Sequence, residues 1–167
     1  MEDAMQKYKV GDYVMYGVSG ACEISEIGPL SFAGKDKVYY SLKPFYDSRD
    51  TIYVPVDRED EIARKVVGKK EAESVIGKIL SEKRRGKLPE RDACDVILKS
   101  ADSLKISNLI RCLRYMRVEN RKNHKGLNIA EEKLLKYAER ILFSEIAVAL
   151  KLSMEEAGDR FGEGLDA

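Results

Sequence analysis

The chain contains few of the residues that usually build a catalytic or metal site. It has one histidine, His124, and three cysteines, Cys22, Cys94 and Cys112, which form no C-x-x-C pair. An odd cysteine count without such a pair argues against a disulfide framework and a zinc site, and is typical of a reducing cytosol. A Walker loop, a G-x-G-x-x-G fingerprint and a His/Ser/Asp set are also missing. We therefore expect no catalysis, no cofactor, no metal and no small-molecule substrate.

Long apolar segments are missing as well. No run approaches the roughly 20 residues of a membrane-spanning helix, and the N-terminus lacks the pattern of a secretory signal. We therefore expect a cytoplasmic protein with no membrane partner. The chain has 167 residues, of which 44% are hydrophobic. This length suits one domain or two small ones, and the apolar content suffices for a core.

The net charge of +1 conceals a strongly basic middle segment. Residues 1–62 carry seven basic and twelve acidic side chains, residues 63–127 carry eighteen and eight, and residues 128–167 carry five and nine. The excess is concentrated between residues 83 and 125. A segregated basic patch of this kind is typical of a surface that binds a polyanion, most often nucleic acid.

Part of this basic segment has the periodicity of an amphipathic helix. At about 100° per residue, six basic side chains fall within an arc of roughly 140°; they are Arg111, Arg114, Arg117, Arg121, Lys122 and Lys125. Ile106, Leu109, Leu113 and Met116 fall near the opposite side. Most charged helix faces are simply solvated, but no acid interrupts this one before Glu119. The pattern favours contact with nucleic acid or an acidic partner.

The first sixty residues alternate with the period of β-strands. We predict strands at residues 10–16, 21–27, 37–42 and 51–56, separated by turns rich in glycine and proline. Four or five short strands in this length are typical of a small β-roll or SH3/Tudor-like barrel. Pro55 places the fourth strand at a sheet edge or end, because proline cannot donate to a ladder. Such an edge can accept a partner's strand.

The period then becomes helical. We predict helices at residues 69–84, 90–99, from 103 onward, 128–150 and a short last helix ending near 161. Asp102 or Ser103 can cap the third, and Asn128 with Glu131 and Ser153 with Glu156 form capping boxes. The fold class is therefore α+β, a small β-roll over residues 1–66 followed by an all-α helical bundle over residues 67–167. Glu145 falls inside the apolar stripe of the fourth helix, and we expect it to pair with Arg111 or Arg114.

This order of elements, together with several short motifs, resembles the CarD/CdnL family of bacterial transcription regulators. Residues 8–16 (Y-K-V-G-D-Y-V-M-Y), Gly20 and Val54-Pro55 are similar to the family's K-V-G-D-x-V-x-Y and V-P. Residues 126–145 are similar to its G-L-S-x-x-E…L…A…I-L-x-x-E, through Gly126-Leu127-Asn128, Glu131, Leu135, Ala138, Ile141-Leu142 and Glu145. Arg111 with Leu113 resembles its R-x-L.

The resemblance implies a non-enzymatic regulator with two contact surfaces. A Tudor-like domain would dock through its edge strand on the β subunit of RNA polymerase, using Leu30, Thr51, Ile52, Tyr53, Val54 and Pro55. The helical domain would contact promoter DNA nonspecifically near the upstream edge of the bubble and modulate open-complex stability, which would associate the protein with the nucleoid. Its implied DNA-binding residues are Arg84, Arg85, Lys87, Leu88, Arg91, Arg114, Arg117, Arg121, Lys122 and Lys125. The alternative is a protein-only polymerase adaptor whose basic face meets an acidic protein surface.

The chain departs from the family pattern at two positions. Many members insert a tryptophan into the minor groove, but this chain has none, and Leu88 is the best candidate to replace it. An apolar side chain can act as such a wedge, although Leu88 could instead pack in the core. The arginine that members place just before V-P is Tyr53 here, so polymerase contact would depend on backbone pairing and aromatic side chains.

Overall fold

The computed structural model describes residues 6–32, 34, 36–82 and 84–166. Lys83, counted above in the basic segment, lies outside these residues. The described chain forms a five-stranded antiparallel sheet followed by helices, which confirms the α+β fold class. The strands are β1 (Tyr13–Tyr16), β2 (Gly20–Gly28), β3 (Tyr39–Pro44), β4 (Ile52–Pro55) and β5 (Arg64–Lys65).

The strand order is β4-β3-β2-β1-β5, so β4 lies at one edge of the sheet. This confirms the position predicted from Pro55. Val56 donates its N–H to the Val38 carbonyl oxygen at 2.9 Å, and Tyr39 lies opposite Pro55 in the register. Backbone groups of an antiparallel pair alternate between facing the partner and facing away. The missing N–H of Pro55 therefore falls on the outer side, where it costs no ladder hydrogen bond.

The predicted helices are present, with shifted ends. They are α1 (Lys69–Ser81), α2 (Arg91–Ser100), α3 (Ser103–Lys122), α4 (Ile129–Leu150) and α5 (Met154–Asp159). Asp102 caps α3 by accepting the Lys105 N–H, and both predicted capping boxes are formed. Helix α3 ends at Lys122, because the Asn120 carbonyl oxygen accepts the Lys125 N–H instead of continuing the helical pattern.

The sheet contributes to two apolar cores. Val14 and Cys22 point into a core made by the sheet itself, whereas Met15 and Ala21 point into the core of the helices. Successive strand residues face opposite sides, so β1 and β2 are buried on both. The helices therefore cover one side of the sheet, and residues 1–66 would expose Met15 and Ala21 if they were separated from the helices.

The sheet approaches helix α4 closely at Gly20. Its φ is +72°, and a Cβ at this position would lie 2.4 Å from Ser144 Oγ and 3.1 Å from the Arg140 carbonyl oxygen. The next residue, Ala21, donates its N–H to Ser144 Oγ at 2.9 Å. Only glycine combines this backbone conformation with so close a contact.

The partner predicted for Glu145 is wrong. This buried carboxylate pairs with Arg64 of β5, and it also accepts the Val67 N–H at 3.1 Å. Arg111 is buried elsewhere: its Nε donates to the Gly164 carbonyl at 3.0 Å and an Nη donates to the Ile79 carbonyl at 2.5 Å. Arg114 pairs with Glu139 and Asp166. The observed partner, Arg64, was not predicted, because β5 is a strand of only two residues and leaves no recognisable sequence pattern.

Candidate docking edge and nucleic-acid interface

The edge strand β4 presents both backbone groups and an aromatic side chain. The Val56 N–H faces β3, and the backbone groups of Ile52 and Val54 face the same way. Because backbone groups of successive residues alternate, the N–H and C=O of Tyr53 point away from the sheet. Tyr53 is 44% exposed, while Val54 is buried. An exposed strand edge of this kind can pair with a strand of another chain.

Phe32 extends this edge and was not among the residues predicted for the docking surface. Phe32 is 73% exposed. Its ring meets that of Tyr53 edge-on, with centroids 5.6 Å apart and planes at 70°. Aromatic residues are enriched in protein interfaces relative to the rest of the surface. The sequence does contain a signal for Phe32. It is an apolar residue in a turn shortly after Pro29, outside any strand whose alternation would place it in the core. Leu30, which was predicted, is half-buried.

The basic loop, defined here as residues 84–89, lies between α1 and α2. Arg84, Arg85 and Lys87 are exposed. Arg91 begins α2 at the end of this loop and is also exposed. Four of the predicted DNA-binding residues thus lie close together in the chain on an accessible surface. Their positive charges are suited to the phosphate groups of nucleic acid.

The predicted cationic face of α3 is not a single surface. Between Ile106 and Leu113 the helix is buried nearly all round, because α1, α2 and α4 pack against it. Arg111, at 4% exposed, lies within this embedded half, so its place on a solvent-facing front was wrong. Periodicity could not reveal this, since an embedded helix and a surface helix can have the same apolar stripe.

The remaining cations of α3 point in different directions. Arg114 is held by Glu139 and Asp166, and its side chain is only 18% exposed. Arg117 is half-buried beside a shallow groove that Glu132 and Lys136 of α4 also line. Of the predicted cationic face, the exposed members are Arg121 and Lys122 in the last turn of α3 and Lys125 just beyond it, and Lys122 forms a 2.8 Å ion pair with Glu119.

Leu88 was predicted either to replace the family's tryptophan or to pack in the core. It is half-buried and packs against the core of the helices. It also lines a surface groove together with Leu98, Leu134 and Tyr137. This packing agrees with the interpretation of Leu88 as a core residue, and its role as a wedge stays a prediction.

Neither a membrane segment nor a metal cluster is found in the part of the chain that the structure describes. No helix there is both long and apolar enough to cross a membrane. The same residues bring together no group of three or more His, Cys, Asp and Glu side chains able to hold a metal ion.

Two family models match the chain. The CarD-like/TRCF RID domain matches residues 8–67, which span the sheet including its edge strand β4. The CarD C-terminal domain matches residues 92–161, which span α2 to α5. No curated protein matches the chain significantly. The two domains occur in the order expected from the motifs, and the chain therefore belongs to the CarD-like family and is a transcription-associated protein that interacts with RNA polymerase.

Proposed function

We propose that this protein docks on the RNA polymerase β subunit through β4 and contacts promoter DNA nonspecifically near the upstream edge of the bubble. It thereby modulates the stability of the open complex and associates with the nucleoid through the polymerase. The CarD family consists of non-enzymatic transcription factors, and we expect no catalytic activity here. The observation that carries the proposal is the combination of an open strand edge with a separate, exposed cluster of cations.

Docking through β4 is supported by the outward backbone groups of Tyr53 and by the Phe32–Tyr53 ring pair. A partner strand added at this edge would gain main-chain hydrogen bonds, and pockets for alternate side chains would provide specificity. The aromatic pair adds apolar area beside the strand. Together these features compensate for the arginine that other family members place at the position of Tyr53.

The full chain is the appropriate probe of docking, because the helices cover Met15 and Ala21. We expect saturable binding to an isolated β-lobe fragment of bacterial RNA polymerase, and loss of that binding in Tyr53→Glu. Tyr46→Glu is the matched control, since Tyr46 is 37% exposed and lies outside β4. Unchanged binding of Tyr53→Glu, or equal losses in both variants, would contradict docking through β4.

Contact with DNA is supported by the exposed cations of the basic loop and of the end of α3. No constellation for reading base edges is evident among them, so we expect phosphate contacts with little sequence preference. The affinity for DNA should fall steeply with salt, by a slope of about −0.9 per phosphate contact. A salt-independent affinity would contradict the proposal.

The contributions of individual cations can be separated by charge reversal. Arg84→Glu should weaken DNA binding for all sequences alike and reduce the salt slope, without changing the melting temperature. Arg49→Glu is the control, because Arg49 is 91% exposed and lies in the acidic half of the chain.

Arg114→Glu should instead lower the melting temperature, since it places three carboxylates together, the new one beside Glu139 and Asp166.

The alternative function is a protein-only polymerase adaptor. It is favoured by the pairing of Arg114 and Lys122 with carboxylates of the chain itself, which reduces the charge available for DNA. An adaptor would retain its effect on transcription after charge reversal at Arg84 and Arg85, and would show no binding to DNA. The salt titration described above therefore distinguishes the two functions.

A further inference from the structure

Three side chains on one face of α3 contact the basic loop. Asn108, Cys112 and Tyr115 are spaced i, i+4 and i+7, which places them in a row along the helix. Asn108 Oδ1 accepts the Gly86 N–H at 2.7 Å. The Cys112 thiol donates to the Gly86 carbonyl at 3.1 Å. The Arg85 guanidinium lies over the Tyr115 ring, 3.6 Å from its centroid.

The row therefore holds both backbone polar groups of one loop residue and the side chain of its neighbour. Gly86 fits closely against α3, since a Cβ there would lie 3.1 Å from the Asn108 amide. The far end of the loop is held by a second thiol, because Cys94 of α2 donates to the Pro89 carbonyl at 3.4 Å. These contacts fix the backbone of a segment that has no regular secondary structure of its own.

We propose that Asn108, Cys112 and Tyr115 are positioning residues that hold the basic loop in the conformation that presents Arg84, Arg85 and Lys87 to DNA phosphates. This inference rests on the proposed DNA contact. A loop held in its binding conformation loses less conformational entropy when it binds. Arginine stacked on an aromatic ring keeps its charge while its orientation becomes fixed. The row thus fixes the Arg85 guanidinium and the loop backbone that carries Arg84 and Lys87.

The thiol of Cys112 provides a direct readout of the loop. It is buried under Gly86, so alkylation by iodoacetamide requires the loop to open. Cys22, buried in the core of the sheet, is an internal reference, because it becomes accessible only when that core unfolds. Peptide mass spectrometry separates the two sites in the full-length protein.

We expect Tyr115→Ala to accelerate alkylation of Cys112 by about two- to fivefold, the factor that corresponds to an exposed cation–π contact. The double variant Asn108→Ala/Tyr115→Ala should accelerate it further and should weaken DNA binding by roughly 3- to 10-fold with an unchanged salt slope, because the bound complex keeps the same phosphate contacts. The affinity falls once the open loop becomes the main form, because only the closed fraction is competent to bind. Saturating DNA should slow alkylation of Cys112 in the wild-type protein.

Two further variants separate positioning from direct contact. Tyr115→Phe keeps the ring under Arg85 and should retain wild-type alkylation and affinity. Tyr46→Ala removes a comparable stack, since Arg140 lies 3.7 Å from the Tyr46 ring centroid, and should change neither quantity. Unchanged Cys112 alkylation in the double variant would overturn the inference. So would faster alkylation with unchanged DNA affinity. A wild-type protein that does not bind DNA would instead contradict the proposed function.

Discussion

Arg64 and Glu145 form a largely buried ion pair that joins the last strand of the sheet to the longest helix. The Glu145 side chain is 3% exposed, and that of Arg64 is 32% exposed. The same guanidinium donates to the Ala101 carbonyl at 2.8 Å, at the turn between α2 and α3. The carboxylate also accepts the Val67 N–H at the entrance to α1. One pair of charges thus connects β5, α1, α2 and α4.

Replacing Arg64 should lower the free energy of unfolding more than replacing Glu145 does. Arg64→Met leaves Glu145 buried without a counter-charge, which typically costs about 3–5 kcal/mol. Glu145→Gln leaves a partly exposed arginine that water can solvate, so the expected loss in the free energy of unfolding is smaller. Urea denaturation of the full chain measures both. Equal losses, or a larger loss in Glu145→Gln, would contradict this account.

Gly20 controls the spacing between the sheet and α4. We expect Gly20→Ala to destabilise the protein by about 2–4 kcal/mol, because the new methyl group meets Ser144 and the α4 backbone in addition to the unfavourable φ. Gly17→Ala is the matched control. Gly17 also has a positive φ, of +49°, but a Cβ there meets nothing within 4 Å. Similar losses in the two variants would show that the close approach to α4 contributes little.

The outward N–H of Tyr53 can be tested without disturbing the sheet. Tyr53→Pro removes that donor and the ring, whereas Tyr53→Ala removes only the ring. If polymerase docks by strand addition, Tyr53→Pro should bind the β-lobe fragment more weakly than Tyr53→Ala, with similar melting temperatures for both. Val54→Pro is the contrasting variant, because it removes an N–H that faces β3 and should destabilise the fold. Equal affinities of the Pro and Ala variants at position 53 would contradict docking by strand addition.

The core of the sheet should lose stability at alkaline pH. Burial raises the pKa of Tyr40, which is also raised by its 2.5 Å hydrogen bond to Glu59, and burial raises the pKa of Cys22 to about 12. A group whose pKa is raised on folding binds its proton more tightly in the folded state. It therefore stabilises the fold at pH values below its pKa in the unfolded chain. That contribution is lost as the pH rises through the folded pKa.

Stability should therefore decline above roughly pH 9–10, the ordinary range of thiols and phenols. Tyr40→Phe removes one of the linked protons and should flatten the decline by up to about 1.4 kcal/mol per pH unit. Denaturant midpoints between pH 8 and 11 measure this. A decline of the same slope in Tyr40→Phe would exclude Tyr40 as a contributor.

Local patterns determined much of the fold. Pro55 indicated an edge strand, and β4 is at the edge. Asn128 and Ser153, each followed three residues later by Glu, indicated two capping boxes, and both are formed. These features depend on residues within a few positions of one another, so the sequence alone contains the necessary information.

Tertiary packing decided which charges face solvent and which partners they have. Arg111 and Lys122 belong to the same predicted face of α3, yet Arg111 is buried and Lys122 is exposed, because neighbouring helices enclose only the first half of α3. Glu145 was recognised as a carboxylate in an apolar stripe, but its partner Arg64 lies 81 positions away in the chain. The row of Asn108, Cys112 and Tyr115 can be recognised only in the folded protein, where it contacts Arg85 and Gly86 of the basic loop. Periodicity reports the face of one element, whereas the assembly of several elements determines what that face meets.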